Sequence, residues 1–441
     1  MGSVLIVSSF VDLLFSFSGC FTKPSGASFL LLAQAWVLTT GRRTVTNLIR
    51  TAGKAANKSH DAYQYFFSGA VWSMQKVWLV LIRQVIAKLV PSGVVRLLGD
   101  DTLFHHSGPK IFGAGWFRDA VRSMADKVAY GRGHNWAVLS VVVSSPFGKT
   151  PIALPIMARL CPKKSKETTN PPTLPDLMEA MIRAIVAELP DRRVLVALDG
   201  GYSCLVGRFP DEDITVVARL RRDAALWGPK PPPTGRPGRP RKRGQRLPAP
   251  RELAADEETE WETVELVLRG KQVVRHLFSM DALWYHVQPD ELCRVVLVRD
   301  PEHSNDYWAL IASDTRLEPA HIASLYSDRW AIEVAFREAK QQMGAGDPQA
   351  RTEKAVRRQA PFALLLQSLV KLWFLCNGHE RYLAQRTPDP WYLDKETISF
   401  ADMLATLRRT SWTERFFAES APQLEHSELL EPLIRCASRA A

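Results

Sequence analysis

Tyr326-Ser-Asp-Arg329-Trp-Ala-Ile-Glu333-Val-Ala-Phe-Arg-Glu-Ala-Lys340 sets four functional side chains at helical spacing. At about 100° per residue, with Tyr326 as zero, Arg329 falls at about −60°, Glu333 at about −20° and Lys340 at about −40°. All four share one narrow face. The stripe is roughly 21 Å long at 1.5 Å per residue. A carboxylate between two cations and a phenol suits a metal ion with phosphates laid alongside. The alternative is a surface helix with ordinary ion pairs at three- and four-residue spacing.

A third acid on a helix calls for two more at the ends of buried strands. Val94-Val95-Arg96-Leu97-Leu98-Gly99-Asp100-Asp101-Thr102 is a short apolar run that ends abruptly in acid, the pattern of a buried strand delivering a carboxylate. An Asp-Asp turn or helix cap is the competing reading. Arg193-Val-Leu-Val-Ala-Leu198-Asp199-Gly200-Gly201-Tyr202 repeats the pattern and then breaks into glycines, a strand running into a loop.

The pattern Y-x2-R-x3-E-x6-K resembles, without a gap, the signature helix of bacterial insertion-sequence transposases of the DDE type. The neighbouring Arg329-Trp330-x-Ile-Glu333 and Gly344-Ala-Gly346 resemble that family too. The resemblance implies a catalytic and metal-binding triad of Asp100, Asp199 and Glu333. Asp100 is chosen because the family shows Asp-x-Thr here, which fits Asp100 and Thr102; Asp101 is the fallback for the first acid. Asp199 fits the family's Asp-Gly-x-Tyr context. Tyr326, Arg329 and Lys340 would contact the DNA backbone.

The implied chemistry is an in-line displacement at a phosphodiester, assisted by two Mg²⁺ ions per active site about 3.5 to 4 Å apart. Mn²⁺ would substitute, since hard divalent cations take oxygen ligands. Water or a DNA 3′-hydroxyl would be the nucleophile, and no ATP is implied.

The 441 residues, 46% hydrophobic and 23% charged, describe a globular chain with a large core. A formal charge of +11 favours an anionic partner, and basic residues spread along the chain fit nucleic acid. Cys20, Cys161, Cys204, Cys293, Cys376 and Cys436 stand singly, which points to a reducing compartment and away from a zinc site. Asp12 interrupts the apolar N-terminus and no basic segment precedes it, so Met1 to Phe21 reads as a core helix. No uninterrupted run reaches the roughly 18 residues of a spanning helix. The expected setting is the bacterial cytoplasm, associated with the nucleoid and with no membrane partner.

The expected fold class is α/β, a ribonuclease-H-like mixed-sheet core interrupted by a mainly β insertion, with helical N- and C-terminal regions. Residues 1–92 would form a helical DNA-end-binding region, in which Arg42, Arg43 and Arg50 are candidate contacts; a solvated basic face is the alternative. Residues 93–220 would form the first part of the core. Its strands are read at Asp100, around Gly113 to Trp116, at Trp136–Val143, at Asp199 and at Ile214–Leu220, with a helix from Thr173 to Leu189. Residues 316–349 would return to the core with the signature helix, and 350–441 would be helical.

Glu333 lies 134 residues beyond Asp199, so 221–315 is read as the insertion. Its stretch 229–246 holds seven basic residues, no acid and many Pro and Gly, an extended arm. The Gly-Arg-Pro repeats resemble an AT-hook, so Arg236, Arg239, Arg241, Lys242 and Arg243 are DNA-binding candidates, in a minor groove or against phosphates. Arg251 to Leu268 reads as an acidic helix, followed by strands at Glu291–Val298 and Tyr307–Ala312. Trp308, 18 residues before Tyr326, matches the place where family members stack a tryptophan on a flipped base; a core role is the alternative. Arg357 and Arg358 are candidate DNA-facing positions, and His105-His106 reads as structural or DNA-contacting rather than metal-binding.

The functional expectation is a DDE transposase that cuts and rejoins double-stranded DNA at element terminal inverted repeats and target sites, as a homodimer assembled on DNA. A related two-metal endonuclease and an inactive DNA-binding descendant are the alternatives. A basic architectural binder would need none of Asp100, Asp199 and Glu333.

Overall fold

The structure is a computed structural model that describes residues 5–124, 126–148, 150–164, 169–210, 213–232, 241–303, 306–385, 397–419, 434 and 437–439. It opens with five helices, α1 (Ser8–Phe15), α2 (Lys23–Leu38), α3 (Val45–Ala52), α4 (His60–Ser68) and α5 (Met74–Leu89). Phe10, Val11, Leu13 and Leu14 of α1 are buried, as the apolar N-terminus implies. Thr44, Ser59 and Ser73 accept hydrogen bonds from the first turns of α3, α4 and α5, which satisfies amides that a helix start leaves open.

The sheet then begins with β1 (Val95–His105), β2 (Gly115–Arg118), β3 (Tyr130–Val143) and β4 (Ile152–Cys161). A helix, α6 (Leu174–Val186), precedes β5 (Val194–Leu198) and β6 (Ile214–Arg219). A Thr173–Asp176 capping box starts α6. β3 runs antiparallel to β1 and β4 antiparallel to β3, while β1, β5 and β6 are parallel. The order β4-β3-β1-β5-β6 is that of a ribonuclease-H-like core. β5 is buried at all five positions, as a central parallel strand covered on both faces should be.

The sheet does not stop at β6. After α7 (Pro250–Ala255), the strands β7 (Glu262–Leu268), β8 (Lys271–Ala282), β9 (Cys293–Arg299) and β10 (Tyr307–Ala312) follow. β10 pairs antiparallel with β6, opposite Leu310↔Arg219, and β9, β8 and β7 continue outward into one ten-stranded sheet. Edge-to-edge continuation hides the β6 edge that a separate inserted domain would leave open.

Three expectations are corrected here. The strand read around Gly113 to Trp116 is the short β2, paired with the first residues of β3. The outer core strand is β4, whose Pro155 and register shift between Leu139 and Ser140 disguise it. The segment from Arg251 to Leu268 is helical only to Ala255 and then becomes β7; Thr263, Val264 and Val267 favour the pleated strand.

The helices α8 (Pro319–Asp328) and α9 (Trp330–Gln341) carry the signature, and α10 (Glu353–Trp373) crosses the helical layer. Phe362 of α10 meets the rings of Phe29, Trp36 and Phe67 edge-on at 5.9, 5.4 and 5.4 Å, geometries that aromatic quadrupoles favour. The helical segment Glu353–Ala384 is long and apolar enough to cross a membrane, but 89% of its most apolar window is buried inside this fold. Arg358, expected to face DNA, is buried. It donates to the carbonyls of Phe66, Phe67, Ala70 and Trp72, capping the open end of α4. Arg43 is buried as well, its backbone amide held by Asp347 at 2.8 Å. Arg42, Arg50 and Arg357 are exposed.

Candidate active site

Side chains alternate across a strand, so β1 has two faces with different work. Arg96, Asp100 and Phe104 lie on one face, and each meets the signature helices. Arg96 pairs with Asp328 at 3.0 Å, Asp100 with Arg329 at 2.5 Å, and Lys340 stands 5.7 Å from the Phe104 ring centroid. Strand and helices therefore run alongside each other for the length of the motif.

Asp199 joins this face through register. Gly99 is paired with Leu198 across the parallel β1–β5 ladder, so the next residues, Asp100 and Asp199, stand side by side where β5 ends. Glu333 comes from α9, and Arg329 links it to the strand by donating to Asp100 and to Glu333 at 2.5 and 2.8 Å. The side chains of Asp100 and Arg329 are 17% and 16% exposed. Burial pushes the Asp100 carboxyl up to about 7; Arg329 pulls it back, while Asp101 and Asp199 add to the rise. Burial opposes the charge of Arg329, yet Asp100, Tyr326, Asp199 and Glu333 together hold it above its ordinary range. A low-dielectric cleft that gathers acids in this way is what positions a divalent cation.

The expected single stripe bends at Arg329. The amide of Arg329 is bonded to Tyr326 and that of Ile332 to Arg329, each three residues back, so a tight turn joins α8 to α9. Tyr326 is buried beside the Arg329 guanidinium, 5.7 Å from ring centroid to Cζ, and Trp308 of β10 meets its ring at 5.8 Å. Arg269, in the turn between β7 and β8, covers the ring of the exposed Trp330 at 4.4 Å. The insertion thus reaches both sides of the signature helix.

Asp101 occupies the opposite face. Tyr202 donates to it at 3.0 Å and Asn135 at 2.9 Å. Tyr202 sits three residues after Asp199 in the 3-10 helix Gly200–Gly207, so its hydroxyl ties the loop bearing Asp199 to the strand bearing Asp100. Sequence reading saw Tyr202 only as context; its regular distance from the acid was the available signal. It also passed over Arg219, exposed at the end of β6 and close enough to influence Tyr326, and Lys371. Buried Lys371 bonds Glu338 of α9 at 2.6 Å and the carbonyl of Ala153 in β4 at 2.8 Å, pinning the signature helix to α10 and the sheet.

Among the described residues, no ion pair joins a basic candidate of the insertion to Asp100, Asp199 or Glu333. Arg236 and Arg239 fall outside the described residues. The described end is the closed base of a loop, not a free arm: Gly228 bonds Gln245 at 2.9 Å and Leu247 bonds Leu226 at 3.0 Å. Arg243 lies 3.7 Å from the Trp227 ring centroid and 5.0 Å from that of Tyr285, while Arg241 and Lys242 are exposed. His105 pairs with Asp119 at 2.8 Å, and the His106 and His134 rings lie 4.7 Å apart, tilted by 59°. Asp300, Glu302 and His303 bring ligand atoms within 4.8 Å of one another in the β9–β10 turn; Asp300 is already paired with Arg275 at 3.1 Å.

A mixed sheet in this order, with one acid midway along β1, a second just past the end of its parallel neighbour β5 and a third on the helix laid across them, defines the ribonuclease-H-like class. Residues 16–277 match the DDE superfamily endonuclease family, and the chain belongs to it. The matched stretch includes Asp100 and Asp199 and ends before the signature helix. No curated protein matches the chain. The family makes this a nuclease or transposase enzyme that acts on DNA with divalent metal ions. Asp100, Asp199 and Glu333 fit such ions, because they offer carboxylate oxygens alone, the donors hard cations prefer.

Proposed function

We propose that the protein is an insertion-sequence transposase of the Y-R-E-K type, which excises and inserts its element by Mg²⁺-dependent strand cleavage and strand transfer. The observation that carries this reading is the in-register placement of Asp100 and Asp199 with Glu333 joined to them through Arg329.

Asp100, Asp199 and Glu333 would hold two Mg²⁺ ions, or Mn²⁺ in their place. When bound, the ions supply activation of the attacking oxygen and charge neutralisation at the leaving one. Asp100, with Asp199 beside it and Arg329 linking it to Glu333, would serve as a ligand together with both other acids. Arg329 carries a fixed positive charge into the cleft and grips a phosphate beside the scissile bond, bidentate geometry suiting a guanidinium. Lys340 holds a phosphate farther along β1. Tyr326 orients Arg329 and contacts the backbone, and Trp308, whose ring meets that of Tyr326, stacks on a base displaced from the duplex. Residues 229–246 add sequence-independent affinity through counterion release. The partners are the element's terminal inverted repeats and target DNA, engaged by a homodimer assembled on DNA in the bacterial cytoplasm and nucleoid.

The test is excision and integration of a marked cassette bounded by the gene's own flanking DNA, with Mg²⁺, comparing the intact protein with Glu333→Gln. Excision that vanishes in the variant while DNA binding persists is the expected result. Binding by both proteins with cleavage by neither would contradict transposition and leave a DNA-binding descendant.

A further inference from the structure

The β2–β3 ribbon runs past the end of β1 and carries an unusual set of exposed side chains. Trp116 is 61% exposed, Val121 88%, Met124 72%, Val128 51% and Tyr130 63%. Large exposed apolar side chains gathered on one projection mark an interaction surface. The register pairs Trp116 with Arg132 and Arg118 with Tyr130, so two aromatic–arginine cross-strand pairs stand on one face of the ribbon. Arg118 is exposed and makes no ion pair among the described residues. Arg132 donates to the carbonyl of Gly108.

That face is the active-site face. Asp100 is paired with Val138 and Phe104 with His134 across β1 and β3. Partners directly opposite point the same way, and β3 has no register shift before Leu139, so Tyr130 and Arg132 share the side of Asp100. From Val138, Arg132 lies about 20 Å and Tyr130 about 26 Å along the strand at 3.3 Å per residue. Lys340 above Phe104 falls between Asp100 and Arg132, at about 13 Å by the same measure. Cations therefore line one direction away from the acids: Arg329, Lys340, Arg132, Arg118. The exposed acid of this projection is Asp126, against Arg118, Arg122 and Lys127, since Asp119 is buried and held by His105.

We propose that this ribbon is a second DNA-reading element, which enters the major groove of the element's own end about six to eight base pairs from the scissile phosphate, at 3.4 Å per pair. A two-stranded ribbon fits a groove about 12 Å wide. Arg118 reads base edges or a phosphate there, and Trp116 and Tyr130 pack on sugars and thymine methyls. The inference rests on the reading of the protein as a DNA-end-processing enzyme.

Binding is measured by fluorescence anisotropy with two duplexes of about 30 base pairs, one from the gene's terminal flank and one of scrambled sequence, for the intact protein, Arg118→Ala, Trp116→Ala/Tyr130→Ala and Glu333→Gln. Unchanged melting curves show that the exposed substitutions leave the fold intact. The expected result is a loss of about tenfold or more for the ribbon variants on the flank duplex, a smaller loss on the scrambled one, and binding by Glu333→Gln like the intact protein. Ribbon variants that bind both duplexes like the intact protein overturn the inference and leave the proposed function standing. Loss of self-association without loss of DNA affinity, read by sedimentation, makes the ribbon a contact between copies and also overturns it. An intact protein that binds neither duplex contradicts the proposed function itself, and the ribbon's role falls with it.

Discussion

The two faces of β1 carry neighbouring aspartates in opposite circumstances. Asp100 meets a guanidinium and shares its cleft with Asp199 and Glu333, whereas Asp101 accepts hydrogen bonds from Tyr202 and Asn135. One residue of register separates a carboxylate held by a guanidinium and a backbone amide, with other acids close by, from one held by an uncharged phenol and side-chain amide. Which aspartate meets Arg329 is decided by the face the helix covers, and Asp-Asp in a sequence does not by itself say which acid that is.

The largest effects should come from the α9 side. Asp199→Asn or Glu333→Gln should lower Mg²⁺-dependent DNA cleavage at least about 10³-fold, because several kcal/mol of charge stabilisation depend on the ions and each 1.4 kcal/mol is a factor of ten. Nicking of a supercoiled plasmid would register this. A drop of only a few fold would break the distinction between the faces.

Arg329→Ala removes the charge that offsets Asp100. The variant should lose on the order of 3 kcal/mol of stability without cations, the cost of orphaning a partly buried charge, discounted in proportion to its exposure. Divalent cations should then raise its melting temperature more than they raise that of the intact protein. Equal responses would show that Arg329 does not neutralise the acids.

A fourth variant probes the same face farther along. His134 is 3% exposed, and burial lowers its pKa to about 4, helped by His106, while its bond to the Phe112 carbonyl opposes the drop. The folded state keeps the imidazole neutral while the unfolded chain takes up a proton below pH about 6.5. Its contribution is therefore complete above that pH and lost as pH falls toward 4, roughly 3 kcal/mol across the window. His134→Gln should flatten the acid side of the stability curve, measured by urea unfolding between those limits. His106, shifted the same way, should leave a smaller residual slope.

The smallest effect belongs to the Asp101 side. Tyr202→Phe deletes one hydrogen bond worth about 1 kcal/mol, and cleavage should fall by less than about tenfold with a higher Mg²⁺ requirement. A loss as large as that of Glu333→Gln would move Tyr202 into the chemistry.

Much of this was legible in the chain. Helical spacing after Arg329 and the apolar runs before Asp100 and Asp199 marked α9, β1 and β5, because strand runs and helix faces are local properties, though β1 continues through Asp100 to His105. Non-local facts were not legible. β4 is interrupted by Pro155, the partners of Arg358 and Arg43 are backbone and side-chain groups far along the chain, and the bridge from Tyr202 to Asp101 spans 101 residues. Charge misled where burial decided: Arg358 read as a candidate for DNA, and it is buried where it caps a helix.

The direct test of the face assignment is plasmid cleavage with Mg²⁺ by Asp100→Asn and Asp101→Asn side by side, after both are shown to bind DNA. Cleavage abolished in Asp100→Asn and retained, though reduced, in Asp101→Asn is the predicted result. Activity that survives in Asp100→Asn and disappears in Asp101→Asn would contradict the assignment of the active site to the Asp100 face.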